Sequence, residues 1–191
     1  MTEGDSCLRL FIAVNPPAEI RQHLTQVQQR LRRLPALARA RFPRMANLHV
    51  TLKFLGPVEA DAQQRLTAAL AQVRFAPFTA GLSALGTFGR RHVRVVWLGL
   101  ESPGLCALQA DVQECLAADF PTDERAFHPH LTLARPRSKV QARRLQPQLQ
   151  GLDLPTAEWV VDSFALMASE LHPDGARHTC MAQIAADRTT P

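Results

Sequence analysis

The 191-residue chain contains no tyrosine, and Lys53 and Lys139 are its only lysines. The first absence limits general acid/base candidates to His, Glu, Asp, Lys and Cys. The second leaves nearly all of the basic charge on arginine, whose planar fork suits phosphate. Long apolar runs are also missing. Leu8 to Val14 and Trp159 to Ala168 are too short or too polar to span a bilayer, and the N-terminus lacks a signal-peptide pattern, so a soluble, cytoplasmic protein without a membrane partner is expected. The four cysteines, Cys7, Cys106, Cys115 and Cys180, include no C-x-x-C pair and no histidine at zinc-finger spacing. They read as free thiols, mostly in the core. With 46% hydrophobic and 20% charged residues, the composition excludes a disordered or low-complexity chain.

The net charge is +5. Alone, that balance permits an anionic partner but reads more simply as an arginine-rich codon bias, and it names no reaction.

Along the chain, Leu8 to Val14 reads as a buried strand stopped by Asn15-Pro16-Pro17. A helix follows, with Asn15 as its expected cap and Ile20, Leu24, Val27, Leu31 and Leu34 on one face. A strand from Leu48 to Leu55, a helix from Asp61 to Val73, and strands from Phe78 to Leu85 and His92 to Leu100 come next. The pattern then recurs as a helix from Pro103 to Ala118, a strand from His130 to Arg135 and a helix from Ser138 to Leu149 capped by Ser138. Strands from Glu158 to Ala168 and Arg177 to Ile184 close it. This order predicts an α+β chain built as an approximate internal duplication, 15–100 and 101–185, within a single two-lobed domain over 1–191. Each lobe is expected to lay helices on the outer face of a mostly antiparallel sheet, with a central cleft between the lobes.

The strand at the same place in each repeat carries the same tetrad: His49-Val50-Thr51-Leu52 and His130-Leu131-Thr132-Leu133. Alternation puts His49 and Thr51 on one face and Val50, Leu52 and Phe54 in the core; His130 and Thr132 share a face in the same way. One H-x-T is weak evidence. Two, each with an apolar x and a following Leu, arise by chance roughly once in a thousand such chains, so the pair reads as a site although either histidine alone reads as a hydrogen-bonded strand residue. Two facing histidines can take and deliver protons on opposite sides of a reacting centre, and threonine hydroxyls can donate to an anion between them. In-line displacement at a phosphodiester has that geometry. His128 shares a strand face with His130, which with His49 permits a metal reading. No acidic residue accompanies the tetrads, and the threonines would go unexplained, so no metal is expected.

At these residues the chain resembles the 2H phosphoesterase superfamily, specifically the bacterial RNA 2',3'-cyclic phosphodiesterases, also called 2'-5' RNA ligases. The likeness spans Arg9 to Val14, Asn47 to Gly56, Val96 to Gly99, Phe127 to Arg135 and Ser169-Glu170-Leu171. It implies a two-lobed, pseudo-twofold fold with both H-x-T strands lining the cleft. It also implies metal-independent hydrolysis of a 2',3'-cyclic phosphate on RNA ends or small nucleotides to a 2'-phosphate, without a cofactor. His49 and His130 become the acid/base pair, with His130 as base and His49 as acid, and Thr51 and Thr132 hold the phosphate. Arg135 matches a phosphate-binding arginine, although alternation puts it on the opposite face. Phe11 matches a position near the nucleoside, and a core strand residue reads equally well there. Lys53, on the predicted face of Thr51, reads as a solvated strand-end lysine. His178 stands where relatives usually carry tyrosine, and His128 where they vary; both are expected to alter substrate contacts without touching the core motif.

ATP-independent 2'-5' joining would be the same chemistry with a ribose hydroxyl in place of water, since no nucleotidylation or Walker motif is present. The alternative is a non-catalytic nucleotide- or RNA-binding module using the same cleft. A monomer is expected. Arg90, Arg91 and Arg94, with Arg143 and Arg144, are candidates for the RNA backbone beyond the terminal nucleotide.

Overall fold

The computed structural model describes residues 7–173 and 175–187. It is an α+β fold: eight strands in one sheet, every pairing antiparallel, with four α-helices. In chain order these are β1 (Leu8–Val14), α1 (Ala18–Arg32), β2 (Val50–Val58), α2 (Ala60–Leu70), β3 (Phe78–Phe88) and β4 (Val95–Glu101). Then come α3 (Pro103–Cys115), β5 (His130–Ala134), α4 (Ala142–Gln150), β6 (Glu158–Val161), β7 (Ser163–His172) and β8 (Gly175–Ala185).

Across the sheet the order is β6-β3-β4-β5-β2-β1-β7-β8. The two tetrad strands are central neighbours joined by one register pair, Val50 with Leu131. Each is flanked by a hairpin from the other repeat: β3 and β4 lie beyond β5, whereas β7 and β8 lie beyond β2 and β1. The halves of the sheet and the repeats in the sequence therefore divide the chain differently.

The run from Glu158 to Ala168, expected to be one strand, is two. Only Asp162 separates β6 from β7, yet six inter-strand steps lie between them in the sheet. A flat sheet would hold them about 29 Å apart, whereas two residue steps reach about 7 Å, so the sheet must curl to bring its ends together.

One face of the sheet is covered by the helices. Leu10, Ile12 and Val14 of β1 meet Ile20, Leu24, Val27 and Leu31 of α1 in a core that also takes Leu105, Leu108 and Val112 of α3. On the other face, among the described residues, the buried apolar cluster is small, Phe11, Ala13, Ala165 and Met167, and much of the face is open. Both tetrads look onto that open face.

Some local expectations are corrected. Residues 138–141 do not begin α4. Val140 accepts a backbone hydrogen bond from Val93, and Gln141 bridges His92, so the helix starts at Ala142 without a side-chain cap. Asn15 does not cap α1; its amide approaches the Met167 sulfur. Cys7, Cys106 and Cys180 are exposed free thiols and Cys115 is half-buried, so the cysteines are not core residues.

Candidate active site

A β-bulge immediately after the threonine of each tetrad sets the site. In β2, Thr51 lies opposite Ala13 and Lys53 opposite Ile12, so Leu52 has no partner on β1. In β5, Thr132 lies opposite Trp97 and Ala134 opposite Val96, leaving Leu133 without a partner on β4. The extra residue resets the alternation. Leu52 and Leu133 both join the helix-side core, and the next residue, Lys53 or Ala134, stays on that side.

The resetting decides three side chains. Lys53 is 6% exposed, on the helix face and not beside Thr51; its ammonium donates to the Pro121 carbonyl at 2.7 Å. Burial pushes its pKa down, partly offset by Asp123. Phe54, expected in the core, returns to the open face opposite Phe11 and is 74% exposed, with the two ring centroids 6.3 Å apart. Arg135 is the corresponding residue of β5, three positions beyond its threonine. It is exposed, and its charge lowers the pKa of both His49 and His130. The bulge therefore restores Arg135 to the histidine face, which strict alternation denied it.

A buried amide supports the β5 bulge from behind. Gln28 of α1, 4% exposed, donates to the carbonyls of Leu133 and Pro43, each at 3.1 Å. Arg135 is also held through its backbone, exchanging two hydrogen bonds of 2.8 Å with Arg41.

The two histidines are pinned by the same device. His49 Nδ1 donates to the Asn47 carbonyl at 2.8 Å, and His130 Nδ1 donates to the His128 carbonyl at 2.7 Å. A carbonyl can only accept, so each neutral ring carries its proton on Nδ1 and keeps a free lone pair on Nε2. Asn47 is itself tied down, its amide donating to the Ala176 carbonyl of β8 at 2.6 Å.

Each imidazole is packed among rings. His49 has Phe11 at 4.6 Å and His178 at 5.1 Å; His130 has Phe88 at 4.9 Å and Trp97 at 6.1 Å. Trp97 can lie there because Gly86 has no side chain: a Cβ would meet the indole at 2.2 Å. Burial lowers the His49 pKa to about 4, opposed by the bond to Asn47 and reinforced by His178, His130 and Arg135. His130 is lowered mainly by burial too, then by Arg135 and His128, against the bond to the His128 carbonyl. Both rings are thus held towards the neutral form.

Thr51 and Thr132 are half-buried on the same face as the histidines. Phe11 is 3% exposed and belongs to the small open-face cluster, so it is a core strand residue, and its ring touches both His49 and His178. His178 was expected to leave the core motif untouched, but it stands against His49. No sequence signal links them; the link is the placing of β8 near the start of β2. Among the described residues, no group of three or more His, Cys, Asp or Glu is placed to hold a metal, so His128 does not gather with His49 and His130 as ligands. No helix of the described residues is long and apolar enough to cross a membrane.

Residues 10–173 match the 2'-5' RNA ligase superfamily. The chain is 37% identical to an RNA 2',3'-cyclic phosphodiesterase of Thermus thermophilus, over 91% of this chain and 88% of that one. It is 32% identical to one of Methanothermobacter thermautotrophicus, over 91% and 96% respectively. Among solved structures, it resembles Escherichia coli LigT complexed with 3'-AMP, with a TM-score of 0.75 and 29% identity over 96% of this chain and all of that one.

Proposed function

The chain belongs to the 2'-5' RNA ligase superfamily, and from that membership we propose that it is an RNA 2',3'-cyclic phosphodiesterase using His49 and His130 as its acid/base pair. The observation that carries the mechanism is the repeated device: two imidazoles on one open face, each fixed through Nδ1 so that Nε2 alone is available.

In this reading the cyclic phosphate sits between the tetrads. His130 Nε2 takes a proton from water as its oxygen attacks phosphorus, and the P–O3' bond breaks in line. Protonated His49 delivers its proton to the departing 3'-oxygen. The products are a 2'-phosphomonoester and a 3'-hydroxyl. The Thr51 and Thr132 hydroxyls donate to the non-bridging oxygens, and Arg135 supplies positive charge where negative charge accumulates. With a pKa near 4, His49 is too weak a base to hold that proton at neutral pH, so the bound anion must raise it, as a nearby opposite charge does. Phe54, 74% exposed and backed by the buried Phe11, offers an apolar ledge on the same face for the nucleobase. Joining RNA ends would use a ribose hydroxyl in place of water; in a cleft open to solvent, hydrolysis dominates.

The test is incubation with a 2',3'-cyclic nucleotide in EDTA while the phosphomonoester is followed. Sustained 2'-phosphate formation is expected. No product from either a nucleotide or an oligonucleotide would leave a binding module, and EDTA-sensitive product would indicate a metal enzyme. A substrate with sulfur bridging at the 3' position separates the two roles, because a thiolate departs without protonation. It should restore turnover to His49→Ala and not to His130→Ala, and the reverse pattern would exchange them.

A further inference from the structure

The fold gathers cations that the sequence keeps apart. Phe88, the ring against His130, is the last residue of β3, and the chain turns at once through Gly89, whose φ of +117° no side chain would readily adopt. Arg90, Arg91 and Arg94 follow on that turn. About fifty residues later, the segment leaving β5 is stitched onto it: Val93 donates to Val140 at 2.8 Å, Ala142 donates to Arg91 at 3.4 Å, and His92 bridges Gln141. The stitching brings Arg143 and Arg144 at the start of α4 alongside the first three arginines. Arg137 and Lys139 lie on the connecting strip, which leads back to Arg135 in the cleft.

All of these cations are exposed, and none is ion-paired with a described residue. No aspartate or glutamate occurs between Gly86 and Leu100 or between Arg125 and Leu152. By contrast, Arg30, Arg65 and Arg74 elsewhere on the surface are each paired with an aspartate. Like charges pressed together without counter-charges repel, and a polyanion relieves that repulsion. The belt also has a direction, because it starts at the β3-β4-β5 half of the cleft, from Phe88 at the end of β3 and from Arg135 after β5.

We propose that this belt carries the phosphates of an RNA strand immediately upstream of the terminal nucleotide, so that the substrate is gripped by its cyclic end in the cleft and by its backbone across Arg90, Arg91, Arg94, Arg143 and Arg144. The proposal rests on the reading of the cleft as the place where the cyclic phosphate is hydrolysed, and it makes an oligonucleotide, not a mononucleotide, the preferred substrate class. A single strand held by three or four such contacts loses about 20- to 50-fold in affinity when salt rises from about 50 to 200 mM, whereas a single phosphate loses about threefold.

The experiment compares a 2',3'-cyclic mononucleotide with a short oligonucleotide ending in the same nucleotide, as a function of salt. Two triple variants are tested: Arg90→Gln/Arg91→Gln/Arg94→Gln, and Arg30→Gln/Arg65→Gln/Arg74→Gln, which removes the same charge from paired sites. In the belt variant, KM for the oligonucleotide should rise about tenfold or more and its log–log salt dependence should flatten by about 2, while KM for the mononucleotide holds. The control variant should change neither. Equal effects of the two variants, equal effects on the two substrates, or no effect of the belt variant would each overturn the proposal. Fluorescence anisotropy with a 3'-phosphorylated oligonucleotide reads the belt without turnover. If the wild type hydrolyses neither substrate but binds this probe through the belt arginines, the cleft chemistry fails and the belt stands; if binding is indifferent to them, the belt fails.

Discussion

Replacing Gln28, which touches neither histidine, should damage the site from behind. Both hydrogens of its buried amide are used, one on Pro43 and one on the bulged Leu133. In Gln28→Ala the Leu133 carbonyl loses its partner away from water, at about 1–3 kcal/mol, and the lost methylene packing adds about 1 kcal/mol. A total near 2–4 kcal/mol lowers Tm by about 5–15 °C in a chain of this size. Gln28→Glu is the sharper test because it keeps the shape. An ionised carboxylate has no donor and would face two carbonyl oxygens, so this variant should be at least as unstable as the alanine at pH 7. Burial raises the pKa of such a glutamate, and its protonated form can still donate one bond, so the deficit should grow as pH rises from about 4.3 through the raised value and shrink again on acidification. Loosening the bulge frees Arg135, so kcat/KM should fall about tenfold or more, at temperatures where thermal scans and circular dichroism show the variant folded. A Gln28→Glu protein with wild-type Tm at pH 7, or a destabilised one with unchanged kcat/KM, would show that the bulge and Arg135 are held by something else.

Acid should weaken the fold through His49. Its ring is kept neutral, with a pKa near 4 against the usual 6.5, so the unfolded chain takes up the proton first. That share of stability is complete above about pH 6.5 and is lost as pH falls towards 4, on the order of 3 kcal/mol at most. The wild type should accordingly lose more Tm between pH 7 and 4.5 than His49→Gln does, and parallel losses would contradict the assignment. In kinetics, the free protein needs one imidazolium and both rings are lowered, so kcat/KM should decline above an apparent pKa below 6.5, while kcat, with phosphate bound, holds to higher pH; an alkaline limb of kcat/KM centred above about 7.5 would refute this. Phe54→Ala should change stability by less than about 1 kcal/mol, since the ring is already 74% exposed, yet raise KM for a cyclic nucleotide about tenfold through lost stacking. An unchanged KM would remove the base from that ledge.

Much of this is legible in the sequence because the tetrads are local: within His-x-Thr, period-two alternation holds and both polar side chains meet on one face. It failed one residue later, at the bulges. Two successive inward residues mark such a break, and Leu133-Ala134 shows it openly, so Arg135 was recoverable in principle. Leu52-Lys53 hides it, because a lysine reads as an outward residue and nothing local says that the Pro121 carbonyl waits for it. The helix faces were legible for the same reason as the tetrads: Ile20, Leu24, Val27 and Leu31 recur at helical spacing and are all buried. The split of Glu158 to Ala168 was not, since both pieces are apolar and Asp162 is the sole interruption. Gln28 reaches Leu133 and His178 reaches His49 across more than 100 residues of sequence, a distance that a single chain of letters does not display.

The departures from symmetry give the cleft its direction. Both tetrad strands bulge at the same leucine and pin the same histidine nitrogen, so the framework treats the two sides of a phosphorus atom alike, as in-line displacement requires. Three residues beyond each threonine, however, β2 presents the ring of Phe54 and β5 the guanidinium of Arg135. Because β2 and β5 run antiparallel from Val50 opposite Leu131, those two residues lie at opposite ends of the cleft. A symmetric pair would bind a symmetric diester in either sense. On the proposed function, an apolar ledge at one end and a cation continuous with an acid-free arginine belt at the other would admit a nucleotide in one sense only, base towards Phe54 and phosphates towards Arg135. On that reading the duplicated strands supply the chemistry, and the residues by which they differ decide which way round the substrate enters.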